Sequence, residues 1–462
     1  MDDITIVVLA AGLGTRMKSR KAKVLHQAGG LTLIEHVAAT AAAIAPPERI
    51  AVVVGHQAEQ VEAALGGRGV RFVPQREQLG TGHAVAVCRE LLEPMGGDVV
   101  VLLGDCPLLS AATVERLVSA QRESNAAATV ITTVLADPAG YGRIVHARDG
   151  SIAAIVEHKA ATAEERAIHE INSGIYCFRG ALLWRHLEEI GTNNPAGEYY
   201  LTDIVEIFRG RGYTVAPLLI EDPGELLGIN TRAELAQVDS ILRARKVRQV
   251  MLDGVTVEKP ETVTIDAGVE IGCDTVIEPF ARILGHSAIG EDCRIGACSI
   301  VRDSELAGGV EVLPFTFIDA SRVESGARVG PFARLRQNAR VKGGARVGNF
   351  VEMKNSELGV GSKSQHLAYL GDATIGDRAN IGAGTITCNY DGVHKHPTTI
   401  GPGAFIGSNA TLVAPVEIGE GGYVAAGSVI TGPVPADALA LGRARQVNKE
   451  GWAKKRRESQ GK

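Results

Sequence analysis

The chain has 462 residues, enough for two or three domains, and its 45% hydrophobic content can fill packed cores. No stretch approaches the ~18 unbroken apolar residues of a membrane span, and a net charge of −5 argues against a nucleic-acid partner. The seven cysteines (Cys88, Cys106, Cys177, Cys273, Cys293, Cys298, Cys388) include no CxxC pair, so they read as buried small residues of a reducing compartment, not as a disulfide frame or zinc site.

The start, Met1-Asp2-Asp3-Ile4, lacks the basic and then apolar pattern of a signal peptide, so the cytoplasm is the expected location. Ile4 to Ala10 is a continuous apolar run, the mark of a strand buried on both faces. Further apolar strands are expected at 50–54, 70–73, 99–103 and 127–135, with helices at 33–44 and 83–92. This alternation predicts an α/β domain with a mostly parallel sheet, helices on both faces, and ligands beyond the carboxyl ends of the strands.

The loop after the first strand is Ala11-Gly12-Leu13-Gly14-Thr15-Arg16-Met17. Met17 stands where a dinucleotide fingerprint needs glycine, and the Walker spacing is absent. Basic residues follow: Arg16, Lys18, Arg20, Lys21 and Lys23. Backbone N–H groups at a loop-to-helix junction favour phosphate, and Arg16 with Lys23 would neutralise a triphosphate; the alternative is a solvated helix face. Asp105 lies just past a buried strand, where a hard oxygen ligand suits Mg²⁺. The alternative there is an aspartate capping the next turn.

Asn230 or Thr231 starts a helix that carries Leu235, Val238, Ile241, Leu242 and Val247 at helical spacing. Its late cations Arg243, Arg245, Lys246 and Arg248 suit a helix C-terminus. The expected division is a first domain over 1–228, a linker helix over 229–250 and a second domain over 251–462. The basic run Lys454-Lys455-Arg456-Arg457 reads as a solvated tail.

From Ile265 an aliphatic residue returns every six positions: Ile271, Ile277, Ile283, Ile289, Ile295, Val301. The pattern resumes through Val323 to Met353 and through Ile400 to Ile430. Small residues such as Thr275, Cys293, Ser299, Ala339 and Ala404 lie two before a rung, on the same side of a strand. Each hexad is one short strand and a turn, and three make one triangular coil of a parallel β-helix. The ladder slips by one residue after Val301, Ile318, Met353 and Leu370, which implies shortened turns. One long break between Thr387 and Ile400 predicts a projecting loop. His366, Arg336, Lys354, Tyr369 and Asn380 all fall off the rungs and are expected to project outward. A histidine in a turn is most often a plain surface residue, but this one is grouped with four other polar residues beside the insertion.

Several motifs together resemble the sugar-nucleotide pyrophosphorylases. They are Leu9-Ala10-Ala11-Gly12-Leu13-Gly14-Thr15-Arg16-Met17 with Lys23, Gln75 with Gln78-Leu79-Gly80-Thr81-Gly82-His83-Ala84, and Gly104-Asp105. Gly140-Tyr141-Gly142-Arg143-Ile144, Ile155-Val156-Glu157-His158-Lys159, Glu170-Ile171-Asn172-Ser173-Gly174, Gly197-Glu198-Tyr199-Tyr200-Leu201-Thr202-Asp203 and Gly228-Ile229-Asn230 narrow the match. With the ladder, the whole chain resembles the bacterial bifunctional N-acetylglucosamine-1-phosphate uridyltransferases and glucosamine-1-phosphate acetyltransferases.

That resemblance implies a Rossmann-like nucleotidyltransferase domain followed by a left-handed parallel β-helix that assembles homotrimers, with acetyl-transfer sites between subunits. The implied substrates are UTP, glucosamine-1-phosphate, N-acetylglucosamine-1-phosphate and acetyl-CoA, with Mg²⁺ as cofactor. Ala11, Gly12, Gln75, Gly80 and Thr81 would hold uracil and ribose, with Leu9, Ala10, Leu103 and Gly104 completing the nucleotide-sugar site. Arg16 and Lys23 would bind the triphosphate, Asp105 and Asn230 the Mg²⁺, and Gly142, Glu157 and Asn172 the sugar. His366 would be the general base for acetyl transfer, a task suited to imidazole at neutral pH. Arg336 and Lys354 would take the sugar phosphate, and Tyr369 and Asn380 would orient the sugar. Ala383, Asn389, Tyr390, Ser408, Ala426 and Arg443 would line the acetyl-CoA groove. Ala22 and Gln337 stand where the family often has proline. Uridylyl transfer needs charge neutralisation and in-line positioning, not a nucleophile triad. The other reading is a single-activity pyrophosphorylase whose solenoid only regulates or assembles it.

Overall fold

The structure, a computed structural model, describes residues 3–461, so Met1 and Asp2 of the leading sequence lie outside the described residues. The chain forms two compact units that divide between Leu242 and Arg243.

In the first unit, strand Ile4–Leu9 lies between the parallel strands Ile50–Val54 and Asp98–Leu103. The sheet runs in the order Val215–Leu219, Ala128–Val134, Glu170–Arg179, Asp98–Leu103, Ile4–Leu9, Ile50–Val54, Arg71–Pro74. Among the described strands of this sheet, Glu170–Arg179 and Ile152–Val156 run against the others, each pairing antiparallel with Arg143–His146. Buried aliphatics line both faces of the sheet, which is why the strands read as unbroken apolar runs. Helix Leu33–Ala42 opens on a capping box between Thr32 and Glu35.

The helix expected over 83–92 is instead two helices, Thr81–Ala86 and Arg89–Leu92. Between them the Cys88 amide bonds to Val85 three residues back, so the helical ladder tightens for one turn before it resumes.

Helix Arg232–Leu252 begins at Thr231, whose hydroxyl accepts from the Glu234 amide at 3.2 Å. The Glu234 carboxylate returns bonds to the amides of Asn230 and Thr231 at 2.6 and 2.7 Å. Because the helix continues to Leu252, Arg243, Arg245, Lys246 and Arg248 stop short of its last turn and do not serve its C-terminal dipole. Arg243 instead pairs with Asp266 at 2.6 Å.

The second unit is a parallel β-helix. Counted over the described residues, its three faces hold eleven, ten and nine strands. Face I begins with Thr256–Val257, face II with Thr264–Ile265 and face III with Glu270–Ile271. Successive coils pair in register, as in Ile265 with Ile283 and Ile289 with Leu306. The rungs form one continuous core, into which Ser364 and Thr387 enter as fully buried polar rungs.

All four shortened turns lie at one corner, from face II to face III, and so does the insertion after Thr387. The corner between faces I and II is different. There Phe280, Cys298, Phe315, Phe332, Phe350 and Leu367 follow each face I rung by three residues, all with positive φ. Phe315, Phe332 and Phe350 stack at 5.0 and 5.3 Å between ring centroids while remaining about half exposed.

The seven thiols are free, but the expected burial fails at three of them: Cys388 is half-buried, and Cys273 and Cys298 are exposed because both sit in turns and not on rungs. The tail Trp452–Ser459 is an exposed helix. Among the described residues no helix is long and apolar enough to cross a membrane.

Candidate functional site

In the first unit a cleft of about 600 Å³ opens at the carboxyl ends of the central strands. Leu9, Ala10, Ala11, Gly12, Lys23, Gln75, Gly80, Thr81, Leu103 and Asp105 line it. Gly104 lies against Leu9, where an added Cβ would meet the Leu9 carbonyl at 2.9 Å. Gly80 adopts φ +111°, and a Cβ there would come within 2.5 Å of the Tyr199 carbonyl oxygen, so only glycine lets the segment around Tyr199 close on the cleft. Gln75 donates to the Gly80 carbonyl at 3.1 Å. Gln78, quoted above in its motif but given no role, donates to the Ala11 carbonyl at 2.7 Å and braces the loop.

Lys23 is ion-paired to Asp105 Oδ2 and donates to Asn230 Oδ1 at 3.3 Å. Arg16 donates to the same Asn230 oxygen at 2.8 Å. Ala22 gives its amide to Gln57 Oε1 at 2.7 Å, a bond that a proline at this position could not make.

Gly142, Glu157 and Asn172 also meet. The Asn172 amide donates to the Gly142 carbonyl at 2.9 Å, and Glu157 Oε1 and Asn172 Cβ both lie 3.6 Å from where a Gly142 Cβ would stand. Tyr176 and the Gly174 amide brace the Asn172 carboxamide. Burial pushes the Glu157 carboxyl above its usual range, against the opposing hydrogen bond from Thr202. Arg143, fully buried, donates to the Tyr141 carbonyl and shapes the turn that presents Gly142.

In the second unit the site residues form two groups. At the face I/II corner, residues two past each rung stack coil on coil. Asn349 pairs with His366, and its Oδ1 meets His366 Nδ1 at 2.9 Å. The next coil pairs as Lys363–Asn380 and Ser364–Ile381, and Ala383 holds the position on it that matches His366, two residues past the rung. The Asn409 amide then bonds to Ala383 and that of Gly427 to Ser408, and Arg443 donates to the Ala426 carbonyl at 2.7 Å. His366 therefore heads a column that continues through Ala383, Ser408, Ala426 and Arg443. Asn380, on the same face, pairs with Lys363 and Phe405.

The other group lies across face II, at its far edge. Arg336 and Lys354 are register partners, and Tyr369 precedes the next rung. Lys354 follows the core rung Met353 but is only 8% exposed. Asp372, to which the sequence drew no attention, gathers Lys354 at 3.2 Å, Asn355 at 2.7 Å and Asn389. Burial opposes its ionisation, but these three hydrogen bonds hold its carboxyl below the usual range. Lys395, from the insertion, stands beside Lys354; the hydrogen bond and charge of Lys354 lower its pKa. Arg336 is held by Glu352 at 2.7 Å and by Gln337 at 3.2 Å. Gln337 has φ +53°, which proline cannot adopt, so this corner differs from one built with proline. Tyr390 sits in the insertion, closed on itself through Gly392. Asn389 and Tyr390 thus lie apart from the other four residues assigned to acetyl-CoA.

Residues 6–174 match the MobA-like NTP transferase domain, and residues 268–303 and 397–432 match the bacterial transferase hexapeptide repeat. The chain is 58% identical over 454 residues to the bifunctional protein GlmU of Solibacter usitatus, covering 98% of this chain and 97% of that protein. It is 48% identical to the protein of the same name from Koribacter versatilis, over 98% and 97% of the two chains. The Fervidobacterium nodosum protein of that name is also 48% identical, over 98% of each chain.

Proposed function

The chain belongs to the family of the bifunctional GlmU proteins, acetyltransferase and uridyltransferase in one polypeptide, and we propose that each activity uses the residues gathered in one unit. Glucosamine-1-phosphate is acetylated on the left-handed β-helix. The N-acetylglucosamine-1-phosphate formed then reacts with UTP in the first unit to give UDP-N-acetylglucosamine and pyrophosphate.

In the first unit the cleft takes uracil and ribose against Ala11, Gly12, Gln75, Gly80 and Thr81. Arg16 and Lys23 take the triphosphate, and Gly142, Glu157 and Asn172 take the sugar. The sugar phosphate's oxygen attacks the α-phosphorus, and pyrophosphate leaves in line. Asp105 and Asn230 would hold Mg²⁺. Their oxygens fit it: one carboxylate and one amide carbonyl converge on a single cationic group, and Mg²⁺ is commonly held by few protein oxygens plus substrate phosphates. When bound, the ion would offset the charge that builds on the phosphates.

In the second unit His366 removes a proton as the sugar's amine attacks the thioester of acetyl-CoA; the amide bond forms and the thiol leaves. Lys354 and Arg336 bind the phosphate of the acceptor. The observation that carries this reading is the column from Asn349 through His366, Ala383, Ser408 and Ala426. In this reading the base stands in line with the residues assigned to acetyl-CoA, which suits direct acyl transfer. The half-exposed phenylalanine stack at the same corner supports a homotrimer, since contiguous apolar patches on a surface mark interfaces. A neighbouring copy there would cover His366, next to Leu367 on that ridge. A cytoplasmic location fits the free cysteines.

The test is a product assay with glucosamine-1-phosphate, acetyl-CoA, UTP and Mg²⁺, omitting one at a time. Without UTP the acetylated sugar phosphate should accumulate, and without acetyl-CoA no nucleotide sugar should form until that intermediate is supplied. Uridylyl transfer without any acetyl transfer would overturn the two-activity reading.

A further inference from the structure

The side chains assigned above to triphosphate and to metal are one closed network. Lys23 donates to both Asp105 Oδ2 and Asn230 Oδ1, and Arg16 donates to that same Asn230 oxygen. The Lys23 and Asp105 side chains are 17% and 13% exposed, so their charges act where water screens them weakly. The arrangement is built in by the backbone. The Ile229 amide bonds to the Asp105 carbonyl at 3.1 Å, which sets Asn230 beside the strand end. Gly14, at φ +61°, lies where a Cβ would come within 2.6 Å of Lys23 Cβ, so its lack of a side chain gives the lysine stem its place.

We propose that Lys23, with Arg16 behind it, is a placeholder for the metal ion, so that a divalent cation binds this unit tightly only together with a triphosphate. An ammonium and a divalent ion cannot share Asp105 Oδ2 without strong like-charge repulsion. The phosphates of the nucleotide attract Lys23 and Arg16, free the two oxygens, and bring ligands of their own for the metal. Metal and nucleotide then strengthen each other's binding by the same factor. The inference rests on the metal and triphosphate assignments proposed above.

The test is Mn²⁺ binding to the full-length chain without nucleotide, followed by the electron paramagnetic resonance of free Mn²⁺. Lys23→Met and Lys23→Gln should each bind one Mn²⁺ about tenfold more tightly than wild type, since each removes a positive charge from the site. Adding Asp105→Asn should erase that gain. If both Lys23 variants are folded by circular dichroism and bind no more tightly than wild type, the placeholder is overturned. The metal assignment still stands in that case if Asp105→Asn alone weakens Mn²⁺ binding. A gain that survives Asp105→Asn overturns the metal assignment itself. Should the Lys23 variants not fold, Arg16→Gln decides: a gain of about threefold supports the proposal, and no gain overturns it.

Discussion

The two units assemble their sites in opposite ways. In the first, partners come from far apart in the chain: Lys23 and Asp105 are 82 residues apart, and Arg16 and Asn230 are 214. In the second, partners are one coil apart: His366 and Asn349 are separated by 17 residues, and Lys354 and Asp372 by 18. A doubly wound sheet collects loops at its strand ends, so its site depends on the whole fold. A solenoid repeats a local unit, so its site depends on neighbouring coils and on what covers the outer surface.

Substitutions can break this contrast. His366→Ala should lower the acetyl-transfer rate by about 10³-fold and leave uridylyl transfer unchanged, within the usual worth of a general base; separate assays of the two products check it, and equal losses would refute the division. Asp105→Ala should reduce pyrophosphate release at least about a hundredfold, with acetyl transfer intact. Phe332→Glu should split the proposed trimer in light-scattering measurements and cost acetyl transfer about tenfold or more, because charge in an apolar interface core is costly; uridylyl transfer should stay within about twofold. An unchanged mass would remove the phenylalanine ridge from the interface. Gly80→Ala should raise the KM for UTP about tenfold, from strain of roughly 1–3 kcal/mol at positive φ.

The smallest effect concerns Glu157. Its folded pKa lies above the unfolded value because burial disfavours its charge, so the folded state binds more protons there. Its contribution to stability therefore falls as pH rises from the unfolded value through the folded one. Glu157→Gln should flatten that slope in thermal melts taken across the window; an unaltered slope would assign it to other groups.

The rungs could be read directly, since burial imposes a period that composition cannot hide. The first-unit loop was legible because its residues form a long continuous motif, and the structure gives Gly14 a definite place, against the stem of Lys23. Outward positions carry no period. Asp372 therefore passed unnoticed although it ties Lys354 to Asn389, and the cover over Lys354 could not be foreseen. The break at Cys88 was invisible too, because a tightened turn needs neither glycine nor proline. Cys273 and Cys298 misled because residue type alone stood in for position.

The corner between faces II and III has one further consequence. It absorbs shortened turns on four coils and a long insertion on another, while the strands on either side keep their pairing, as in Ile375 with Ile400 and Ile400 with Ile418. Length at this corner is thus uncoupled from the stack. A foreign segment grafted between Tyr390 and Pro397, clear of the paired strands, should leave melting temperature nearly untouched while altering acceptor choice, which makes this the natural place to re-engineer the enzyme or for evolution to vary it.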